Sequence, residues 1–304
     1  MKTDKGSQGS ENASWVPQSL AETSVAIWGV GLMGGSLAMS LHGKTAFLYG
    51  IDTDQGICHQ PKAIQLFDRI STNPAELLPK ADLIVICAPL GLIPALLKQI
   101  PSFHPGHAVV LDIGSTKSTI LPVMEELPER FIPIGGHPMS GKEFCTFSNA
   151  TSDLFEGGSF ALLPLPRTTR AASLLAEQLV KAIGAHPVWL DPIKHDRWAS
   201  AISTLPYLAA IGLSAVTPLE AAPLVGPGYK STTRLAGESI DMMIHTLTNN
   251  RKNVLKDLKQ IQAKLNQIEI ELDQENYPGL RSLFEEGKAR HSDILDAFSQ
   301  GGKS

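Results

Sequence analysis

The sequence predicts an α/β fold, a doubly wound parallel sheet followed by an all-α C-terminal domain, on three observations. Short β-rich runs alternate with helical stretches as far as residue 191, several of these runs are apolar throughout, and beyond residue 191 the strand pattern stops. A strand apolar on both faces is buried on both, as a parallel strand covered by crossover helices must be.

The predicted strands are Val25–Val30, Ala46–Asp52, Leu83–Ala88, Val109–Ile113, Phe131–Gly135, Phe160–Leu163 and Pro187–Leu190, and the segments between them are long enough for right-handed crossovers. The first run meets a knot of glycines and resumes as a helical pattern. Gly29, Gly31 and Gly34 form G-x-G-x-x-G: the first allows the tight turn, the second lets a pyrophosphate approach the backbone, and the third brings helix and strand together. Alone, the pattern is also that of a plain structural turn. Its context favours a dinucleotide, because the second run ends at Asp52, near the spacing at which a carboxylate receives the adenosine ribose hydroxyls. The fold is then Rossmann-type, with Gly29, Val30, Gly31, Leu32, Met33, Gly34, Asp52, Ala88 and Pro89 as candidate cofactor contacts. Asp52 would repel a 2′-phosphate and no Arg follows it immediately, so NAD is preferred and NADP is the lesser alternative.

Domain limits follow: a flexible tail over 1–23, a dinucleotide-binding domain over 24–191, and a helical substrate and dimerisation domain over 192–304. The tail is polar, with neither the apolar centre of a secretion signal nor a basic amphipathic pattern. Past residue 191 everything reads helical apart from a Pro/Gly-rich patch at 217–228. In the last long helix Val254, Leu258, Ile261, Leu265, Ile268 and Leu272 form one apolar stripe, which either packs within its own chain or meets a second subunit.

A net charge of −4 over 304 residues gives no electrostatic reason to expect nucleic acid or an anionic membrane as partner. No run of 18 apolar residues free of a charge or breaker is present, so no membrane span is expected. Three widely spaced cysteines, Cys58, Cys87 and Cys145, fit a reducing compartment and a cytoplasmic protein. No Cys/His spacing suits a metal.

A nicotinamide cofactor needs a partner that manages a proton while hydride leaves, placed at the carboxyl ends of the strands. "VVLDIGSTKS" sets Ser115 and Lys117 just past one run, and "FIPIGGHPMSGKEF" sets His137 just past the next. Histidine exchanges a proton near neutral pH, which suits His137 to act as base. In "KHDRW" Asp196 reads as a helix N-cap and His195 as its neighbour.

Together, the glycine turn, "DIGSTKS", "GGHPMSGKE", "HDRWASAISTLP", "GPGYKSTTRLAG" and "NNRKNVL" resemble the prephenate and arogenate dehydrogenase family of tyrosine biosynthesis over residues 24–275. The resemblance implies an NAD(P)-dependent oxidative decarboxylation of a cyclohexadienyl carboxylate by a homodimer. It implies His137 as catalytic histidine on the ring hydroxyl, Ser115 between that hydroxyl and the nicotinamide, and Arg234 on a substrate carboxylate. Where the family usually shows Ser-His-Leu-Pro, often followed by a further His, this chain has Ser203, Thr204, Leu205, Pro206 and Tyr207. Thr204 and Tyr207 remain candidate substrate contacts through their hydroxyls, but neither carries positive charge, which leaves prephenate against arogenate open. Two other readings share the glycine turn. A β-hydroxyacid dehydrogenase or imine reductase would rely on a lysine of the second domain, and Lys194 has no such motif around it. A non-catalytic NAD-binding regulator would need neither His137 nor Ser115.

Overall fold

The structure, a computed structural model, describes residues 14–142 and 146–301. An eight-stranded sheet has the order β3-β2-β1-β4-β5-β6-β7-β8. The strands are β1 (Ser24–Trp28), β2 (Phe47–Ile51), β3 (Arg69–Ser71), β4 (Leu83–Ile86), β5 (Ala108–Asp112), β6 (Phe131–Pro138), β7 (Ser159–Pro164) and β8 (His186–Trp189). The helices that matter below are α1 (Leu32–Leu41), α2 (Ile93–Phe103), α3 (Arg170–Ala182), α4 (Pro192–Ala199), α5 (Leu205–Val216), α6 (Pro227–Thr233), α7 (Ile240–Asn249), α8 (Arg251–Asp273) and α9 (Tyr277–Gly301).

The central strands explain why their sequences are apolar at every position. Val25 and Ile27 join one core cluster with Leu37 and Leu41 of α1, while Ala26 and Trp28 join a second with Leu97 and Ile100 of α2. Successive side chains point to opposite faces, and helices cover both. The first six strands are parallel; β7 runs antiparallel to β6, and β8 follows β7 in parallel. The reversal follows from the β6–β7 connection, whose described part has only a short 3-10 turn at Phe147–Asn149 where a crossover helix would lie. The edge strand β3 was not among the predicted runs: "RIS" is short and partly exposed, as sheet edges often are.

Two expectations change. The tail ends earlier than residue 23: Val16 and Leu20 are buried in the core, and the Leu20 N–H donates to Gln178 Oε1 of α3 at 2.8 Å. Residues 1–13 lie outside the described residues, as does Cys145. Second, Pro192–Val216 is a continuous 25-residue helix whose most apolar stretch has mean hydropathy 1.5, enough by length and composition to cross a membrane. The helix runs through Pro206 by way of a π turn at Ser200–Thr204. The wider turn accommodates the proline ring, which lacks an N–H and clashes with the carbonyl one turn back.

The chain divides into two units, 1–250 and 251–304. The second is a hairpin of α8 and α9, joined by a turn with Glu275 at φ 53° and a Lys264–Glu286 ion pair at 3.1 Å. Of the predicted stripe, Val254 is buried, whereas Leu265 and Leu272 remain more than half exposed.

Candidate active site

The nucleotide edge lies where β1 is flanked by β2 on one side and β4 on the other, the point at which the strand order reverses. Gly29 has φ +102°, and a Cβ there would sit 2.7 Å from the Cys87 carbonyl oxygen. A Cβ on Gly34 would overlap the Gly29 carbonyl, so the first turn of α1 can lie against the end of β1 only without one. Gly31 caps α1, whose first N–H groups have no partner within the helix and face the open edge of the sheet. At the end of β2 the Asp52 carboxylate is held by the Val30 N–H at 2.6 Å and the Asp54 N–H at 2.9 Å. A carboxylate has about four acceptor positions, so it can receive ribose hydroxyls as well. Ala88 and Pro89 follow β4, next to the glycine turn. The close backbone approach at Gly29 and Gly34 and the acceptor at the end of β2 are the features a dinucleotide needs at this edge.

The catalytic edge is built from β5, β6, α4 and α7. Lys117 and Asp112 are fully buried and paired at 2.5 Å, and the Lys117 ammonium also donates to the Gly136 carbonyl. Burial pulls the Lys117 pKa down, against the attraction of Asp112. The pair ties the end of β5 to β6 one residue before His137. Lys117 is thus a structural strut and not an available proton donor.

His137 lies within β6 rather than just past it, because that strand runs on to Pro138. Its Nδ1 meets His195 Nε2 at 2.9 Å, and His195 Nδ1 meets Asp196 Oδ1 at 2.9 Å. Asp196 does not cap α4. Asp191 does, accepting from the Ile193 and Lys194 N–H groups, while Asp196 is buried one turn further on and accepts from the Lys117 and Ser118 N–H groups at 2.9 and 3.0 Å. The hydrogen bonds assign the tautomers. An ionised carboxylate only accepts, so His195 Nδ1 donates; neutral His195 then accepts at Nε2, and His137 Nδ1 donates to it. What remains on His137 is a bare Nε2. Burial above all, with the Lys117 ammonium behind it, holds the His137 pKa well below the ordinary histidine value, so the ring is neutral and its free nitrogen can accept a proton.

Ser115, on the loop after β5, meets Thr246 Oγ1 of α7 at 3.0 Å. Helix α7 is fastened to this edge elsewhere too: Ser118 Oγ donates to the Asn249 carbonyl, and Asn250 Nδ2 to the Asp196 carbonyl. Thr204 and Tyr207 are buried on the helix that carries His195, and the π turn ending at Thr204 packs on α7. Arg234, on the turn after α6, is exposed, and its side chain forms no hydrogen bond or ion pair among the described residues of its own chain. The structure therefore joins Ser115, Lys117 and His137 around β5 and β6, and gives Arg234 no contact with them. His195, Asp196, Asp112 and Thr246 were not singled out as functional from the sequence. Only the adjacency of His195 and Asp196 in "KHDRW" offered a signal.

Residues 36–189 match the family described as prephenate dehydrogenase, nucleotide-binding domain, and residues 191–286 match prephenate dehydrogenase, dimerization domain. A prephenate dehydrogenase of Bacillus subtilis is 27% identical over 273 residues, 86% of this chain and 73% of the relative. The crystal structure of prephenate dehydrogenase from A. aeolicus in complex with hydroxyphenyl propionate and NAD+ superposes with a TM-score of 0.81 at 26% identity, covering 91% of this chain and 99% of that one. An arogenate dehydrogenase of Synechocystis shares the fold, with a TM-score of 0.76 at 24% identity, 89% of this chain and 99% of the other.

Proposed function

The chain belongs to the prephenate dehydrogenase family, and on that premise we propose that it oxidises and decarboxylates prephenate, arogenate or both with NAD, using His137 as the base. The observation that carries the assignment is the line His137, His195, Asp196, which leaves one bare imidazole nitrogen at the carboxyl edge of the sheet.

Bound NAD supplies the hydride acceptor. The residues of this chain manage the proton and the charges. As hydride leaves the carbinol carbon, His137 Nε2 takes the hydroxyl proton, and the charge on the imidazolium is shared through His195 with the Asp196 carboxylate. The resulting dienone accepts the electron pair of the bond to the departing carboxylate. CO₂ leaves, the ring becomes aromatic, and the phenolate oxygen recovers its proton from His137. Arg234 supplies a planar cation for a substrate carboxylate, which its exposed guanidinium is free to bind. Thr204 and Tyr207 supply hydroxyls near the same helix.

Lys194, the lysine a β-hydroxyacid dehydrogenase or imine reductase would need, is an exposed residue in the first turn of α4, which speaks against that reading. A second copy of the chain accounts for the apolar surface left over. Ile202, Val216, Leu219 and Leu224 around α5 are each more than 60% exposed, and the α8 stripe is half open, the pattern of an isologous dimer.

The test is a steady-state assay of the purified protein with prephenate and with arogenate, each with NAD and NADP. Turnover of at least one substrate with NAD is expected, and His137→Asn should lower it by roughly 10² to 10⁴, the range for loss of a general base. A protein that binds NADH but turns over neither substrate is a regulator and not an enzyme.

A further inference from the structure

Gly91, on the loop after β4, leaves a space that its backbone does not require. Its φ is not in the left-handed region, so the backbone alone would accept a larger residue. Yet the three atoms nearest to a Cβ built there, its chain neighbours apart, lie at 3.0, 3.3 and 3.6 Å and all belong to the ring of His245. What the missing side chain provides is a seat for an imidazole. His245 reaches it from α7, where it is exposed, and its ring nitrogens form no hydrogen bond among the described residues.

The place matters because of the order of the strands. Asp52 follows β2, the glycine turn follows β1, and His137 lies on β6, in a sheet that runs β2-β1-β4-β5-β6. A dinucleotide with its adenosine at Asp52, its diphosphate at the glycine turn and its nicotinamide before His137 must therefore cross the loop after β4 with the phosphate and ribose of its nicotinamide half. The start of that loop lies against the glycine turn, with Ala88 N 3.0 Å from where a Gly29 Cβ would be. Gly91 and the imidazole it seats come three residues later. The next residue of α7, Thr246, meets Ser115 on the loop after β5 at 3.0 Å, so the helix is held against both loops. An imidazole N–H donates, and the oxygens of a phosphate or a ribose accept. Resting on the reading of the site given above, we propose that His245 is a cofactor-binding residue, seated by Gly91, whose ring donates a hydrogen bond to a phosphate or ribose oxygen in the nicotinamide half of NAD.

The test titrates the full chain, without substrate, with AMP, ADP and ADP-ribose by calorimetry and with NADH by fluorescence, on the parent, His245→Ala, Gly91→Val and the double variant Gly91→Val/His245→Ala. AMP lacks the nicotinamide half altogether, ADP adds its phosphate, and ADP-ribose adds its ribose. Loss of one hydrogen bond predicts that His245→Ala binds ADP-ribose and NADH about threefold to tenfold more weakly and AMP as the parent does. A loss that begins with ADP puts the ring on the phosphate, and one that begins with ADP-ribose puts it on the ribose; either result supports the inference. Gly91→Val, which drives the ring from its seat, should reproduce the loss, and the double variant should be no weaker than His245→Ala alone, because both changes remove one interaction. A His245→Ala protein with parental affinity for all four nucleotides, one that loses AMP to the same degree, or one that loses NADH alone overturns the inference. Additive losses in the double variant overturn it too, since Gly91 then does not act through the ring. A parent that binds none of the four nucleotides refutes the cofactor reading of the glycine turn itself, and the inference falls with it.

Discussion

Replacing His195 tests whether the orientation of the base, and not merely its presence, sets the rate. In the parent, His195 is 2% exposed and bridges His137 Nδ1 to Asp196 Oδ1 with contacts of 2.9 Å on each side. His195→Leu removes both. The His137 Nδ1–H is then a buried donor without an acceptor, which costs about 1 to 3 kcal/mol, and the ring is released to the other tautomer, in which Nε2 carries the proton and cannot act as base. At about 1.4 kcal/mol per decade, kcat should fall roughly fivefold to 150-fold, with NADH affinity retained because no cofactor contact is altered. His195→Gln is the control: its amide oxygen can accept from His137 Nδ1 while its size stays close to that of imidazole, so it should recover most of the loss. The assay is NADH formation at saturating substrate, with melting temperature measured in parallel to separate folding from rate. A His195→Leu enzyme within about twofold of the parent, well below the predicted loss, would show that the line of three residues does not orient the base.

Other consequences follow from the same geometry. Asp52, anchored at the end of β2 by the Val30 N–H, should give NAD at least about a tenfold advantage over NADP in kcat/KM, and parity between the two cofactors refutes that role. Because the His137 pKa is depressed, kcat/KM should hold as pH falls through about 6.5 and drop only below it; an acid limb centred at or above that value contradicts the buried neutral base. The same depression has a sign for stability: the unfolded chain binds the proton more readily, so the contribution of His137 is complete above its unfolded pKa and is lost as pH falls from there toward its folded pKa, visible as a falling melting temperature. Arg234→Gln should raise the substrate KM about tenfold to a hundredfold, the worth of a charge-assisted hydrogen bond, and leave the NADH dissociation constant unchanged; equal losses in both make Arg234 structural.

How much of this was legible in the sequence depended on whether the signal was local. The seven predicted strands all occur: the central ones are covered on both faces and carry their burial at nearly every residue, and β8, at the edge and partly exposed, was found from its β-rich run, whereas the three residues Arg69–Ser71 of β3 are too few to carry a pattern. Gly29 was legible because its backbone, at φ +102°, tolerates no other residue. The antiparallel turn into β7 was not, since the direction of a strand is set by the connection and not by the strand itself.

Asp196 shows the limit most clearly. An acidic residue at the start of a helical pattern is a cap by every local rule, and in "LDPIKHDRW" two such residues compete. Asp191 takes the role because Pro192 follows it at the first helical position, where a missing N–H does no harm. That leaves Asp196 inside the helix, where an ionised carboxylate would be penalised unless partners arrive from elsewhere. They come from Lys117 and Ser118, 79 and 78 residues away along the chain. No spacing rule reaches so far, yet the requirement could have been posed from the sequence: a buried carboxylate next to a histidine needs donors, and the loop that begins "DIGSTKS" ends a strand with backbone N–H groups to spare. The same contact both docks the helix Pro192–Val216 on the sheet and sets the tautomer of His137. A substitution that loosens the helix there should therefore be felt first in the chemistry, before the fold gives way.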